Sequence, residues 1–520
     1  MRTTAAIRSD PTIGYPTQVP FDPSERYPEY DGDGISEEEN GVYRAFRDCL
    51  RDMGMDEAHK GGAEWSPFSE FIRPGDTVVI KPNLVLNTAN PDIQNCTTTH
   101  PSLIRPVIDY AWKALRGDGK IIVGDACASE ANFDEIVDRT GIRKMIEILQ
   151  ERGMKIELRD FRAVKVTTEN GIWTGEQSSN TTEAGKVVQL NEHSLFAIEK
   201  EKYKHATLHG AGYDIAETNR HHHGDIQEYC VSETILRADV VISMPKMKTH
   251  RKAGFTCCLK NLVGINADKN YLPRFAMGST NMGGDEMPAI SGGRAAAMRG
   301  YNFMRKHVIS HTWQFLGGPA AGFLRKVKGK EKAPDSGTAA EMEPAENAQA
   351  DTAQADASQT GQPKDTDTDL ARWLHNRISG QTVAAGAWAG NETICNMILD
   401  LNRIFLCCGK DGKLRDRTDR RFFYVADGIR SGMGNGPIHP VPVQVGAVAA
   451  GSNGLAIDTA ILRLFGINEQ SITLYRKANG LDFMHPEEEG DILFNGKQMT
   501  ETDRFGCELI APDDWVYEKL

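Results

Sequence analysis

The sequence predicts an α/β protein: a mainly parallel, doubly wound sheet carrying an inserted, disordered acidic loop. Three observations predict it. Short apolar runs alternate with helix-length amphipathic segments through the first third of the chain. Those runs, TVVI, KIIV and later DVVIS, are continuous rather than alternating, as expected of strands buried on both faces. Residues 333–369 hold nine acids, one lysine and one large apolar residue, Met342, too little burial to offset the entropy of ordering.

The elements follow in order. Residues 1–35, rich in Pro, Asp and Tyr, read as irregular, and 1–69 as an N-terminal extension. Val42, Phe46 and Leu50 form a helical stripe within 36–54. PGDTVVIKPN is a strand, HPSLIRPVIDYAWKAL a helix, GKIIVGDA a strand, NFDEIVDRTGIRKMIEILQERG a helix and KIELRD a strand. Residues 161–225 are turn-rich, and the strand pattern resumes at ILRADVVISMPK. Residues 70–332 thus make a first α/β lobe. After the insert, residues 370–520 complete the same domain with a helix near 391–408, a strand running into the glycine-rich loop GIRSGMGNGP, and a strand, turn and helix in GAVAAGSNGLAIDTAILRLFGI.

Composition narrows the function classes. The chain has 520 residues and a net charge of −12, so its surface as a whole repels nucleic acid and any anion site must be a local basic pocket. No apolar stretch approaches the roughly 18 residues of a spanning helix, and the N-terminus lacks a signal-peptide core, which points to the cytoplasm. Residues 294–332 hold nine Lys/Arg and one acid, with Met304, Val308, Trp313 and Leu316 near one helical face. A docked helix explains them, as does peripheral membrane contact through 294–330. None of the ten cysteines forms a C-x-x-C pair, so no ferredoxin-type iron–sulfur cluster is expected and buried thiols are the simpler reading.

The chemistry gathers at strand ends. TVVI ends in Lys81-Pro82-Asn83, KIIV in Gly124-Asp125, DVVIS in Pro245-Lys246 and FFYVA in Asp427-Gly428; GAVAAG ends in Ser452-Asn453, with Asp458 one turn into the next helix. Ligands bind outside the carboxyl ends of strands in open parallel sheets. The run MPKMKTHRKAGFTCCLKN adds Lys248, His250, Lys260 and Asn261. Lysines suit an anion, and a carboxylate or histidine can move protons. His250, Lys248, Lys260 and Asp427 are the candidate catalytic residues. Lys81, Asn83, Asp125, Lys246, Asn261, Gly434, Asn435 and Asp458 are the candidate substrate-binding residues. Asp125 and Asp458 are placed to orient those groups or a divalent cation; the cofactor is otherwise open. Glycines at 428, 432, 434 and 436 would let backbone N–H groups approach an anion. The triplet His221-His222-His223 reads as an exposed turn more readily than a metal site, since consecutive side chains diverge. His100, before a helix, caps it or enters the site.

The run ADVVISMPKMKTHRKAGFTCCLKNLVGINADKNYLP, the earlier VVIKPN…TTTHP…VGDA and the later W-x-GN-x-T…DLNR…DGI…GNGP resemble the domain-of-unknown-function 362 family over residues 70–480, the acidic insert excepted. AWAGNET…DLNRI resembles a branch associated with polysaccharide biosynthesis, in which a histidine is expected where Arg274 stands. His250-Arg-Lys-Ala-Gly-Phe-Thr-Cys-Cys-Leu-Lys260 is also similar to a motif of the nickel-pincer lactate racemases. That likeness implies His250 as a site histidine and Lys260 as a cofactor-tethering position, with Cys257 and Cys258 replacing two glycines. Three functions follow as expectations: an enzyme acting on a small anionic, possibly sugar-derived substrate by Lys/His/Asp acid–base chemistry; a racemase or epimerase with a lysine-linked cofactor; and a non-catalytic envelope-polysaccharide assembly protein.

Overall fold

The computed structural model describes residues 3–306, 377 and 385–520, apart from residues 86, 130, 170–171, 181, 211–213, 438 and 486–489. The acidic insert 333–369 and the basic stretch beyond 306, including Val308, Trp313 and Leu316, lie outside the described residues.

One sheet organises the molecule. Its strands are β1 (Thr3–Ser9), β2 (Thr77–Pro82), β3 (Lys120–Asp125), β4 (Ile156–Asp160), β5 (Val240–Met244), β6 (Lys246–His250), β7 (Gly254–Thr256), β8 (Arg421–Asn435), β9 (His439–Gly451), β10 (Asp491–Phe494) and β11 (Lys497–Gln498). Their order is β11-β10-β1-β9-β8-β5-β2-β3-β4, with β6 and β7 extending the sheet beside the upper half of β8. β8, β5, β2, β3 and β4 are mutually parallel. Val78, Ile80, Val240 and Ile242 pack into one core with Val42, Phe46 and Leu50 of α1 (Gly41–Asp52) and Ile104 of α3 (Pro101–Leu115). Val79 and Val241 pack into the other, with Ile398 and Ile461. Two buried faces explain the unbroken apolar runs.

Several expectations change. Thr3–Ser9 is not irregular: it is β1, paired antiparallel with β9 and parallel with β10, so the N-terminal extension is tied into the sheet. The helix expected over 132–153 is two helices, α4 (Phe133–Arg139) and α5 (Ile142–Glu151), broken at Gly141 with φ of +79°. The glycine-rich stretch is not a loop but the second half of β8, hydrogen-bonded to β9 through Asn435. Glycine serves close packing there: a Cβ on Gly432 would lie 2.7 Å from the Cys96 carbonyl, itself in the short helix α2 (Pro91–Thr97). β9 runs antiparallel to β8, so Ser452 and Asn453 leave the sheet in the opposite direction from the other strand ends.

Candidate functional site: a buried row of cations

The site begins where β5 gives way to β6. Pro245 cannot donate to a ladder, so the pairing with β2 stops at Met244, while its carbonyl accepts from the Asp427 N–H at 2.9 Å. β6 then follows β8, with Lys246 opposite Asp427 and Lys248 opposite Gly432. Strand alternation puts Lys246, Lys248 and His250 on one face. The other face packs: Met247 lies against Gly428, and the Thr249 hydroxyl donates to the Gly434 carbonyl at 2.8 Å. Lys246, Lys248 and His250 are all buried.

Two of the lysines have carboxylate partners. Lys246 Nζ lies 3.0 Å from Asp427 Oδ2 and also meets the Tyr15 hydroxyl. That hydroxyl donates to Asp427 Oδ1 at 2.6 Å, and the His100 backbone N–H donates to Oδ2 at 2.8 Å. The Tyr15 ring stacks on His100 at 3.9 Å, and His100 Nδ1 accepts the Ser102 N–H that opens α3. His100 therefore both caps its helix and borders the cluster. Burial, then Lys246, hold its pKa well below the ordinary histidine value. Lys81 Nζ lies 2.7 Å from Asp125 Oδ1, whose second oxygen accepts the Leu84 N–H at 2.8 Å. Gly264 roofs this pair; a Cβ there would fall 2.1 Å from Asp125 Oδ1 and 2.7 Å from Lys81 Nζ. Asn261 joins the groups. Its Oδ1 accepts from Lys81 Nζ and from Asn83 Nδ2, each at 3.1 Å, and its Nδ2 donates to Ser243 Oγ at 2.9 Å.

The remaining cations have no carboxylate partner among the described residues. Lys248 Nζ donates to Asn83 Oδ1 at 2.7 Å and to the Thr97 carbonyl at 2.5 Å. Lys252 donates to the Ala385 carbonyl and lies over the Phe275 ring at 4.9 Å. Lys269 donates to the carbonyls of Ala126 and Asn266. Arg274, on the short strand Pro273–Ala276, has a buried Nε with no acceptor. Lys260, on the turn α6 (Cys258–Asn261), is only half-buried and its amine has no hydrogen-bond or ion-pair partner among the described residues.

Desolvation is the main cause of the shifts, and like charges add to it. Lys248 is pushed down to about 7 by burial, with Lys246 and Lys81 adding to it. Lys252 also falls to about 7, with Arg274 adding to burial. Lys269 falls to about 8. Lys260 drops well below the ordinary lysine value through burial, Arg274, Lys248, Lys81 and Lys269. His250 is driven well below its ordinary value by burial and by Lys260, Arg274, Lys252 and Lys248. Its Nδ1 accepts the N–H groups of Lys252 and Ala253 at 3.0 and 3.2 Å. The ring is thus neutral, and its proton sits on Nε2.

Three sequence-stated positions stand apart. Gly434 and Asn435 hold the C-terminal segment: the Gly434 N–H donates to the Ile510 carbonyl at 2.9 Å, and Asn435 pairs with Asp513. That N–H is spent within the fold and does not face an anion. Asp458, in α8 (Gly454–Leu464), accepts the N–H groups of Cys258 and Leu259 at 2.7 and 3.1 Å and the Tyr475 hydroxyl at 3.2 Å. It positions the turn that carries Lys260 and Asn261. Asp125 and Asp458 therefore have separate partners and share no cation site. Among the described residues, the one trio with metal-ligand spacing is Cys257, Cys258 and Asp458, whose ligand atoms lie within 4.8 Å of one another. Burial holds the Cys257 thiol up to about 12 and pushes Cys258 well above its ordinary value, so both stay protonated. Capping accounts for the carboxylate without an ion.

The histidine triplet is not an exposed turn. His221 lies between the carboxylates of Glu217 and Glu228 and stacks on Tyr271 at 3.6 Å, while His222 is buried between Gln227 Oε1 and the Tyr271 carbonyl; only His223 is exposed. Sequence reasoning missed Tyr15, Lys269 and Gly264. Tyr15 comes from a segment with no periodic signal, and only the three-dimensional contact reveals it.

No curated protein and no solved structure matches the chain. A family model described as "Domain of unknown function (DUF362)" matches residues 78–190 and 162–463, a span that takes in the sheet strands β2 to β9. The chain belongs to the DUF362 family.

Proposed function

We propose that the protein is an enzyme acting on a small anionic substrate, carboxylated or phosphorylated, by Lys/His acid–base chemistry. One observation carries this reading: Lys248, Lys252, Lys260 and Arg274 surround a neutral histidine, Lys269 lies near Lys260, and none of the five has a carboxylate partner among the described residues. Burying cations without counter-ions is costly, and a bound anion would supply the missing charge. Lys248 and Arg274 hold the anion in this reading. His250 Nε2 moves or shares a proton with the substrate, and the Lys81–Asp125 and Lys246–Asp427 pairs keep the row aligned. A thermal-shift titration with inorganic phosphate, sulfate, acetate and oxalate tests it. At least one anion should raise the melting temperature of the wild type, and Lys248→Met should weaken that response. An unmoved wild-type melting temperature across the panel refutes the proposal.

A second reading, a racemase or epimerase of hydroxy or sugar acids with a lysine-linked cofactor, draws on the Lys260 amine, which has no partner among the described residues and lies beside His250. Intact-mass spectrometry of protein from its native host decides it: an unmodified chain removes it. A role in envelope-polysaccharide assembly, with the protein cytoplasmic or at the membrane face, draws on helix α7 (Gly292–Met304), whose end exposes Phe303 and Met304. No helix among the described residues is long and apolar enough to cross a membrane. Equal liposome co-sedimentation of wild type and a deletion of 294–330 would remove the membrane contact.

A further inference from the structure

We infer that Lys260 forms a covalent imine with the carbonyl carbon of an anionic oxo acid bound among the cations. The inference rests on the anion-site reading above and names its substrate class. Lys260 differs from every other lysine of the cluster. Lys81 and Lys246 are committed to carboxylates, and Lys248, Lys252 and Lys269 to backbone carbonyls or Asn83. The Lys260 amine is committed to nothing among the described residues, and the residue is half-buried where Lys81, Lys246 and Lys248 are sealed. Its backbone is fixed from two sides. Asp458 caps the start of its turn, and the adjacent Asn261 is locked onto Lys81, Asn83 and Ser243. A fixed stem with an uncommitted amine suits a nucleophile better than an anion clamp, because a clamp gains nothing from losing its charge.

The surroundings favour the neutral amine, which is the reactive form. Arg274, Lys248, Lys81 and Lys269 all disfavour a further positive charge there. The same cations would pair with the carboxylate of an oxo acid and bring its carbonyl to the amine. His250 offers Nε2–H, since two backbone N–H groups occupy Nδ1, and this donor suits the carbonyl oxygen as it gains charge. The step balances without a redox partner. The Lys260 lone pair forms the N–C bond and the C–O π bond breaks. The oxygen then departs as water with the two amine hydrogens, leaving C=N; a solvent proton converts this to the iminium.

The test traps that species. Full-length protein is incubated with glyoxylate or pyruvate and sodium cyanoborohydride, which delivers hydride to the C=N bond, and adducts are mapped by intact mass and peptide analysis. One adduct per chain is expected on the peptide containing Lys260, at least about tenfold faster than on the exposed Lys144 and Lys519. Inorganic phosphate should slow it by competition. Lys260→Met removes the nucleophile and adds no charge, so it should lose the adduct and still show the phosphate-induced thermal shift. Adducts spread over Lys144 and Lys519 without enrichment at Lys260 overturn the inference, as does a chain already blocked at Lys260 when purified. A retained phosphate shift with no trapped adduct rejects the imine alone. Loss of both rejects the anion site.

Discussion

Asp125→Asn isolates the cost of leaving one buried lysine unpaired. In the wild type, Lys81 Nζ has Asp125 Oδ1 at 2.7 Å and two neutral acceptors, the Pro82 carbonyl and Asn261 Oδ1, both at 3.1 Å. The variant keeps the neutral acceptors and loses the charge. Breaking a buried pair this way costs about 3–5 kcal/mol. A second route sets an upper limit. Lys81 can fold as the free amine, and deprotonating an ordinary lysine costs about 4.6 kcal/mol at pH 7 but about 1.9 kcal/mol at pH 9. The variant's deficit must therefore shrink by about 1.4 kcal/mol per pH unit across that range, as one proton is released on folding. Urea unfolding at pH 7, 8 and 9 measures it. Lys248→Met is the matched control. It removes a lysine that has no carboxylate, so the relief of a desolvated charge offsets two lost hydrogen bonds and the net cost should stay under about 2 kcal/mol. A flat pH profile for Asp125→Asn, or a larger loss in Lys248→Met, would show that the division into paired and unpaired lysines is wrong.

The other predictions concern protons and packing. With Lys248 and Lys252 both near 7, phosphate binding should take up protons, and affinity should fall about tenfold per pH unit per required proton between pH 7 and 9; calorimetry in buffers of different ionisation heat reads this directly. Without an anion, stability should rise from pH 7 to about 8.5. Lys248, Lys252 and Lys269 have folded values below their unfolded ones, so the unfolded chain binds more protons in that window; a melting temperature that falls there refutes the assignment. Above about pH 9 the buried thiols, held up by burial, reverse the sign. Gly264→Ala would drive a methyl group into the Lys81–Asp125 pair and should cost about 3 kcal/mol or more by chemical denaturation, whereas wild-type stability would mean the pair is not tightly roofed.

The parallel core was legible because Val78-Val79-Ile80 and Val240-Val241-Ile242 bury both faces and so leave an unbroken apolar signature. From those strands alone Lys81, Asn83, Asp125, Lys246 and Asp427 could be placed at one edge, and the structure brings them within reach of one another. What failed has physical reasons. A strand such as Thr3–Ser9 carries too few large apolar residues to announce itself, and its pairing is set by segments hundreds of residues away. Glycines at 428 and 432 signal a loop locally, yet here they admit Met247 and Cys96 against the backbone of a central strand. Strand direction is not encoded in composition, so the pattern alone gathers Ser452 and Asn453 with the other strand ends, whereas the antiparallel β9 carries them to the opposite edge. Which lysines are paired is likewise invisible in sequence, because the deciding carboxylates and asparagines come from separate strands.

The join between β5–β6 and β8 also dictates an order of events during synthesis. Lys246 is made long before Asp427, which lies beyond the acidic insert. β1 must likewise wait for both β9 and β10. A chain released before residue 421 would therefore hold a lysine-rich strand with neither its parallel ladder to β8 nor its counter-ion. Such a product would be hydrated, unpaired at its sheet edge and open to proteases. Premature termination upstream of β8 should thus yield degradation rather than a partly working fragment, and supplying residues 385–520 as a separate polypeptide is the direct way to rescue it.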